Sequence, residues 1–463
     1  MRIKHRPEDF RVEELLVDGY LQRSGSFRVY RVKKRKRTSF EAAEVLADLV
    51  GCPASEVGLA GLKDRQGVTI QYMSVPVKKP VQHVSDDLVI ESAGFAGEAL
   101  ESRHSRGNAF EVRVRGVSSR EFETLASELA AVREQGVVNY FGEQRFGNLR
   151  FGQGWIAREL ALGRHEKALQ QLLCASSEQD DERNRRYKTA WLRNWGDWRE
   201  CREIAGRAGQ FHSVFEHLAR HPDDFAGAFT YVSSRLRLIH LYAWQSHLWN
   251  RTVANYVRET CSRKTCFWVE TPEGRLYFPR GAWTPDPTLQ GSWRIPGPHL
   301  EDVTHPKQRE LYEKALALDE LTPQQFAIEG VSGFQLKGEE RELVIHPRDL
   351  RVKEEERDLE GFLRLRLGFE LPRGAYATML LARLFPSPDV PEEEAPEHRD
   401  KLRRPRRKRE AGHGAAHETR GPRGPRGAGG DRGARAPRTD RGPQQGPWRS
   451  GPRGGARGDR SGR

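Results

Sequence analysis

The chain has 463 residues, enough for two or three folded units, with 36% apolar and 31% charged residues and a formal charge of +13. No run of about 18 apolar residues occurs, so no membrane-spanning helix is expected, and the opening MRIKHRPEDF lacks the apolar stretch of a secretory signal. The five cysteines, Cys52, Cys174, Cys201, Cys261 and Cys266, are scattered; a lone C-x4-C pair is a poor zinc signature, and they read as reduced thiols of a cytoplasmic protein.

The charge is unevenly placed. Residues 401–463 hold 19 Lys+Arg against 5 Asp+Glu, a net +14, which leaves the first 400 residues at −1. A nucleic-acid partner is suggested by the tail; any positive face on the folded part must come from segregation of charge.

In chain order, residues 27–32 read as a strand. Thr38-Ser39-Phe40-Glu41 is a capping box, and the helix after it places Phe40, Ala43, Leu46, Leu49 and Val50 on one stripe before stopping at Gly51. Residues 68–75 and 110–114 read as strands, and 122–135 as a second amphipathic helix. From about 155 to 340 the character changes: long helical stretches, notably 234–258, most of the tryptophans, and a Pro- and Gly-rich section at 271–300. The run Leu363, Leu365, Leu367, Phe369, Leu371 alternates with Arg364 and Arg366, a strand with one buried face. A Pro372-Arg373-Gly374 turn and a helix over 375–385 follow. The simplest arrangement is an α/β domain interrupted by a largely helical insertion. From about residue 386 the chain is rich in Arg, Gly and Pro, too poor in apolar surface to fold, and suited to holding phosphates as a disordered arm.

Chemistry concentrates in two places. In Ala60-Gly61-Leu62-Lys63-Asp64-Arg65-Gln66-Gly67 two glycines bracket a carboxylate between two cations, which would keep Asp64 ionised for attack or proton transfer at a sugar carbon. A surface turn of solvated charges fits those residues alone equally well. In Asn139-Tyr140-Phe141-Gly142-Glu143-Gln144-Arg145-Phe146-Gly147, aromatics interleaved with amides and an Arg suit a flipped base, or an aromatic core turn. No Walker A loop, G-x-G-x-x-G, G-x-S-x-G or H-E-x-x-H motif occurs.

Six separated blocks, in order, carry a resemblance. They are RPEDFRVEE with Lys4 just upstream, AGLKDRQGVTIQ, RGNAF at 106–110, NYFGEQRFG at 139–147, QSHLWN at 245–250 and LPRGAYATMLLARLF at 371–385. Together they resemble the TruD family of tRNA pseudouridine synthases. The resemblance implies the pseudouridine synthase fold, a mixed α/β (α+β) domain on an extended antiparallel sheet. Residues 1–154 plus 341–386 would form it, 155–340 would be the TruD-specific, mainly helical insertion, and 387–463 a disordered basic tail. It also implies isomerisation of uridine, usually uridine 13 of tRNA, without cofactor or metal. Asp64 matches the catalytic aspartate, Phe141, Tyr376 and Asn139 match positions near the target base, and Lys4 matches a basic residue near the catalytic loop. Phe10, Lys63 and Arg145, in the same blocks, join the substrate-binding set. Other RNAs are possible partners of the tail. Gly67 stands where Ala is common, which suggests a more mobile loop, and the stretch before RGNAF is short. The competing readings are a non-catalytic RNA-binding or RNA-chaperone protein and an N-glycosidic hydrolase.

Overall fold

The structure, a computed structural model, describes residues 6–147, 154–176, 180–207, 209–280, 283–297, 300–326, 328, 330, 331, 334, 338–357 and 362–386. Lys4 and the tail from 387 onward lie outside the described residues. The first part of the chain runs β1 (Phe10–Leu16), β2 (Phe27–Arg35), α1 (Ser39–Val50), β3 (Gly58–Leu59), β4 (Val68–Pro76), β5 (His83–Val84), β6 (Leu88–Ala96), β7 (Ser105–Val117), α2 (Ser119–Gln135) and β8 (Val137–Val138). Seven helices follow: α3 (Ile156–Ala161), α4 (His165–Cys174), α5 (Glu182–Arg193), α6 (Trp198–Ala205), α7 (His212–Arg220), α8 (Phe225–Ala228) and α9 (Ser234–Thr260). Then come β9 (Cys266–Thr271), β10 (Gly274–Pro279), β11 (Ser292–Arg294), α10 (Pro306–Ala317), β12 (Glu340–Glu342), β13 (Val344–Ile345), β14 (Arg348–Arg357), β15 (Leu363–Pro372) and α11 (Ala377–Leu384).

One nine-stranded sheet carries the first and last parts of the chain, in the order β14-β15-β7-β1-β4-β2-β6-β5, with β3 beside β4. Every pairing is antiparallel except β1 with β4, which run parallel with Arg11 opposite Val68. The sheet is therefore the mixed, mainly antiparallel one expected. β15 pairs with β7 so that Leu365, Leu367 and Phe369 face the core with Val112 and Val114, while Arg364 and Arg366 point the other way.

Local signals account for the helix ends. Thr38 and Glu41 form the reciprocal cap of α1, Ser118 and Glu121 that of α2, and Gly51 closes α1. The face α1 buries differs from the stripe read in the sequence: Ala42, Ala43, Leu46 and Ala47 meet Tyr30, Val32 and Met73, while Phe40 and Leu49 are exposed. Small residues let the helix approach the sheet closely, so the contact rotates onto the alanines.

Two cores meet at α9. One is built wholly from residues 156–334; the other joins β1, β7, β15 and α11 to Trp249, Val253, Tyr256 and the hairpin β9–β10. Helix α9 puts Leu241, Trp244 and Leu248 into the first core and Trp249, Val253 and Val257 into the second, so from His240 to Val257 it is buried on most sides, polar residues such as Gln245 and Asn250 included. The middle region is helical as expected, but it also contains strand β9, just before the stretch read as Pro- and Gly-rich, and β10 and β11 inside it. Among the described residues, no helix is long and apolar enough to cross a membrane.

Candidate active site

The loop between β3 and β4 carries Asp64, and its backbone is fixed from several directions. Lys34, on the inward face of β2 and 1% exposed, donates from Nζ to the carbonyls of Arg37 (2.8 Å), Lys63 (3.3 Å) and Asp64 (2.9 Å). The Lys63 amide donates to Ser39 Oγ at 3.0 Å, and that hydroxyl donates to buried Gln71 at 2.7 Å. A Cβ at Gly67 would sit 2.6 Å from the Phe10 carbonyl oxygen, so the parallel β1–β4 junction requires glycine there. The loop of this chain is thus held by close contact with Phe10, against the mobility the sequence suggested for Gly67.

The charges around Asp64 are arranged differently from the sequence reading. Lys63 turns inward: its Nζ lies 2.5 Å from Glu14 Oε1, and the other oxygen of that buried carboxylate accepts the Tyr72 amide at 3.0 Å. Arg65 Nε reaches the Lys36 carbonyl at 3.4 Å. The cation beneath Asp64 is Lys34. Burial pushes its pKa down to about 8; the Asp64 charge opposes that shift and Lys63 adds to it. Asp64 itself is half-buried, and its Oδ2 accepts from Gln144 Nε2 at 2.8 Å.

That hydrogen bond brings the second motif to the first. After β8, Asn139 is locked: Nδ2 donates to the Glu342 carbonyl (3.0 Å), Oδ1 accepts from Arg341 (2.6 Å), and its carbonyl accepts from Trp249 Nε1 (3.1 Å) and Arg341 Nε (2.9 Å). Asn250 of α9 clamps the Phe141 backbone, accepting its N–H at 2.8 Å and donating to its carbonyl at 2.9 Å. The Phe141 ring meets Tyr376 edge to face at 6.1 Å, and the Arg341 guanidinium lies 3.9 Å over it. Arg145 donates to Ser246 Oγ at 3.0 Å and lies 5.4 Å from both the Phe141 and Tyr242 rings. Gly142 leaves room for Tyr376, whose Cδ1 would be 2.7 Å from a Cβ. Burial raises the Tyr376 pKa, opposed by Arg145 and Arg341; burial lowers that of Arg341 to about 10, opposed by Tyr376.

Of the residues singled out in the sequence, Phe141, Arg145 and Tyr376 pack together, and Asp64 is joined to their segment through Gln144, the neighbour of Arg145. Asn139 and Lys63 lie behind them, each committed to protein partners. Phe10 is buried, edge to face with Phe110 at 6.0 Å, and forms the floor under Gly67. The PEDF block is a clamp: buried Asp9 takes two hydrogen bonds from Arg115, at 2.6 and 3.0 Å. Sequence reasoning missed Lys34, Gln144, Arg341 and Asn250. Lys34 had a signal, since it shares the inward register of Tyr30 and Val32 on β2. Arg341, flanked by Glu340 and Glu342, had none. The assembly offers a carboxylate on a fixed loop, hydrogen-bonded to the segment whose Phe141 packs with Tyr376, Arg145 and Arg341. Among the described residues no cluster of three or more His, Cys, Asp or Glu is placed to hold a metal.

The fold is similar to that of a solved structure of a putative tRNA pseudouridine synthase D from Methanosarcina mazei. The match has a TM-score of 0.63 and 20% identity, over 83% of this chain and 93% of that one, a likeness of fold. A family model described as tRNA pseudouridine synthase D (TruD) matches residues 1–267 and 294–384. The tRNA pseudouridine synthase D of Aquifex aeolicus is 29% identical over 83% of this chain and 98% of its own length. That of Geobacter metallireducens is 32% identical over 83% and 94%. The chain belongs to the TruD family of tRNA pseudouridine synthases.

Proposed function

We propose that this protein isomerises uridine to pseudouridine in tRNA, at uridine 13, as a cytoplasmic enzyme in which the Asp64 carboxylate acts on the target ribose. The observation that carries the reading is the Gln144–Asp64 hydrogen bond, which ties the carboxylate to the 139–147 segment that also bears Phe141, although the two motifs are far apart in sequence. Residues 1–154 and 341–386 serve as the catalytic part and 155–340 as the insertion; the separate core of 156–334 supports this, although Trp249, Val253 and the β9–β10 hairpin pack into the core of the catalytic part.

The reaction breaks the N1–C1′ bond, turns the uracil and joins C5 to C1′; C5 loses its hydrogen and N1 gains one, so atoms balance without a redox partner. Asp64 either attacks C1′ or takes a proton from C2′ to give a glycal, and both routes need the carboxylate at about 3 Å from the sugar. Lys34 and Ser39 serve that distance by fixing the loop backbone. Phe141 and Tyr376 keep the detached uracil in place by stacking, a contact of about 1–3 kcal/mol. Arg145 sits where it can donate to a uracil carbonyl. Lys4, just before the PEDF block, is proposed to contact RNA near the loop. The tail, with its net +14 over residues 401–463, holds phosphates of tRNA or of other RNAs.

The test is tRNA carrying tritium at uridine C5. Isomerisation releases tritium to water and leaves pseudouridine in the digest, at position 13. Free uracil instead would mean a hydrolase, and bound but unchanged tRNA would mean a binding protein.

A further inference from the structure

A chain of contacts leaves Asp64 and returns to its loop. From Asp64 it passes to Gln144 and so to Arg145, from Arg145 to the Tyr242 ring, and along α9 to Arg235. The Arg235 guanidinium lies 5.1 Å over the Phe40 ring at the start of α1, and neighbouring Ser39 returns to the loop through the Lys63 amide. On α9, positions 235, 238, 239 and 242 fall on one face, and the span from 235 to 242 is about 10 Å. The large apolar side chains on these elements are exposed: Leu62 of the loop at 58%, Phe40 of α1 at 44%, and Ile239 and Leu238 of α9 at 42% and 36%. The Arg235–Phe40 contact and the Ser39–Lys63 hydrogen bond join the three elements that carry these four exposed apolar side chains to the loop of Asp64.

The occupant follows from covalent continuity, on the reading that Asp64 meets the target ribose. The nucleotides on either side of the target are bonded to it and must cross the rim of the same opening. A rim of Leu, Ile and Phe offers nothing to phosphates but suits the faces of bases no longer stacked on each other. Arg235, spread on Phe40, supplies the cation for the phosphate between them. We propose that Phe40, Leu62 and the Arg235–Tyr242 face of α9 form a base-stacking subsite for unpaired nucleotides flanking the target uridine. The subsite selects uridines in looped or opened RNA, because paired neighbours keep their faces covered.

The test is a binding cycle with the full chain. One RNA stem–loop carries the target uridine in its loop; a second has abasic residues on both sides of it. The variants are Leu238→Ser combined with Ile239→Ser, and separately Leu62→Ser, all at exposed positions outside the cores. Abasic flanks weaken wild-type binding about tenfold, each variant weakens binding of the intact RNA about tenfold, and the two losses do not add. Variants that bind intact RNA as tightly as the wild type, or losses that add fully, overturn the subsite. Pseudouridine is measured in parallel. Its absence from wild-type reactions would refute the catalytic reading, while the binding cycle still decides the subsite.

Discussion

Replacing Lys34 with Met removes the ammonium that holds the carbonyls of Arg37, Lys63 and Asp64 from below. Its pKa of about 8 against the ordinary 10.5 means that the charged form costs the folded state about 3 kcal/mol, an investment the loop geometry returns. Deprotonation leaves two N–H donors for three carbonyls and removes a positive charge beside Asp64. Turnover of the wild type therefore falls as pH rises through about 8. Stability moves the other way. Between about 8 and 10.5 the unfolded chain holds a proton that folded Lys34 has released, so this group's contribution to stability increases with pH. The groups facing Lys34 are Asp64 and Lys63 on the loop and Glu41 on α1. The assay is single-turnover pseudouridine formation from about pH 6 to 9, with urea unfolding at each pH. For Lys34→Met the expected result is a rate about 100-fold lower, the scale of a displaced catalytic group, with no alkaline limb. A wild-type rate that stays flat through pH 9, or Lys34→Met with full activity, refutes the reasoning.

Gly67→Ala puts a methyl 2.6 Å from a backbone oxygen in the β1–β4 junction; it should destabilise the protein by about 1–3 kcal/mol and slow turnover. Denaturant midpoints that do not move would show that the junction yields. Asn250→Ala leaves the Phe141 amide and carbonyl without their buried partner, an expected loss of about 3 kcal/mol in the same assay, with a fall in kcat as the ring loosens. Deleting residues 401–463 should weaken tRNA binding and reduce the slope of log Kd against log salt by about 0.7 for each phosphate covered. An unchanged slope makes the tail a bystander.

The sheet was legible wherever one face is buried and the other solvated, as in Leu363–Pro372, because alternation then has a single cause. The caps at Thr38 and Ser118 were equally plain, being local chemistry. The α1 stripe was misread at Phe40 and Leu49, since hydrophobicity marks which residues can be buried and not which approach the sheet. Phe40 instead stays at the rim beside Arg235. Strand β10 lay in a stretch whose prolines and glycines hid the alternation of Leu276 with Phe278, and β9, just before it, is too short for Phe267 and Val269 to stand out. At the site, the motifs told which residue types matter, and the contact between Asp64 and the Asn139–Gly147 segment followed only from the fold. Lys63 shows the limit: adjacency to Asp64 in sequence suggested a partner, but on the loop successive side chains diverge, and Lys63 goes to Glu14. Arg341 carries no sequence signal because its partners, Asn139, Phe141 and Gly374, come from distant segments.

The most direct measurement compares wild type with Asp64→Asn on unmodified tRNA, reading pseudouridine in nuclease digests and tRNA affinity side by side. The substitution keeps the shape and the Gln144 contact but removes the negative charge. Wild type should form pseudouridine and Asp64→Asn none, with Kd for tRNA within about twofold. Pseudouridine at the wild-type rate from Asp64→Asn would contradict the account.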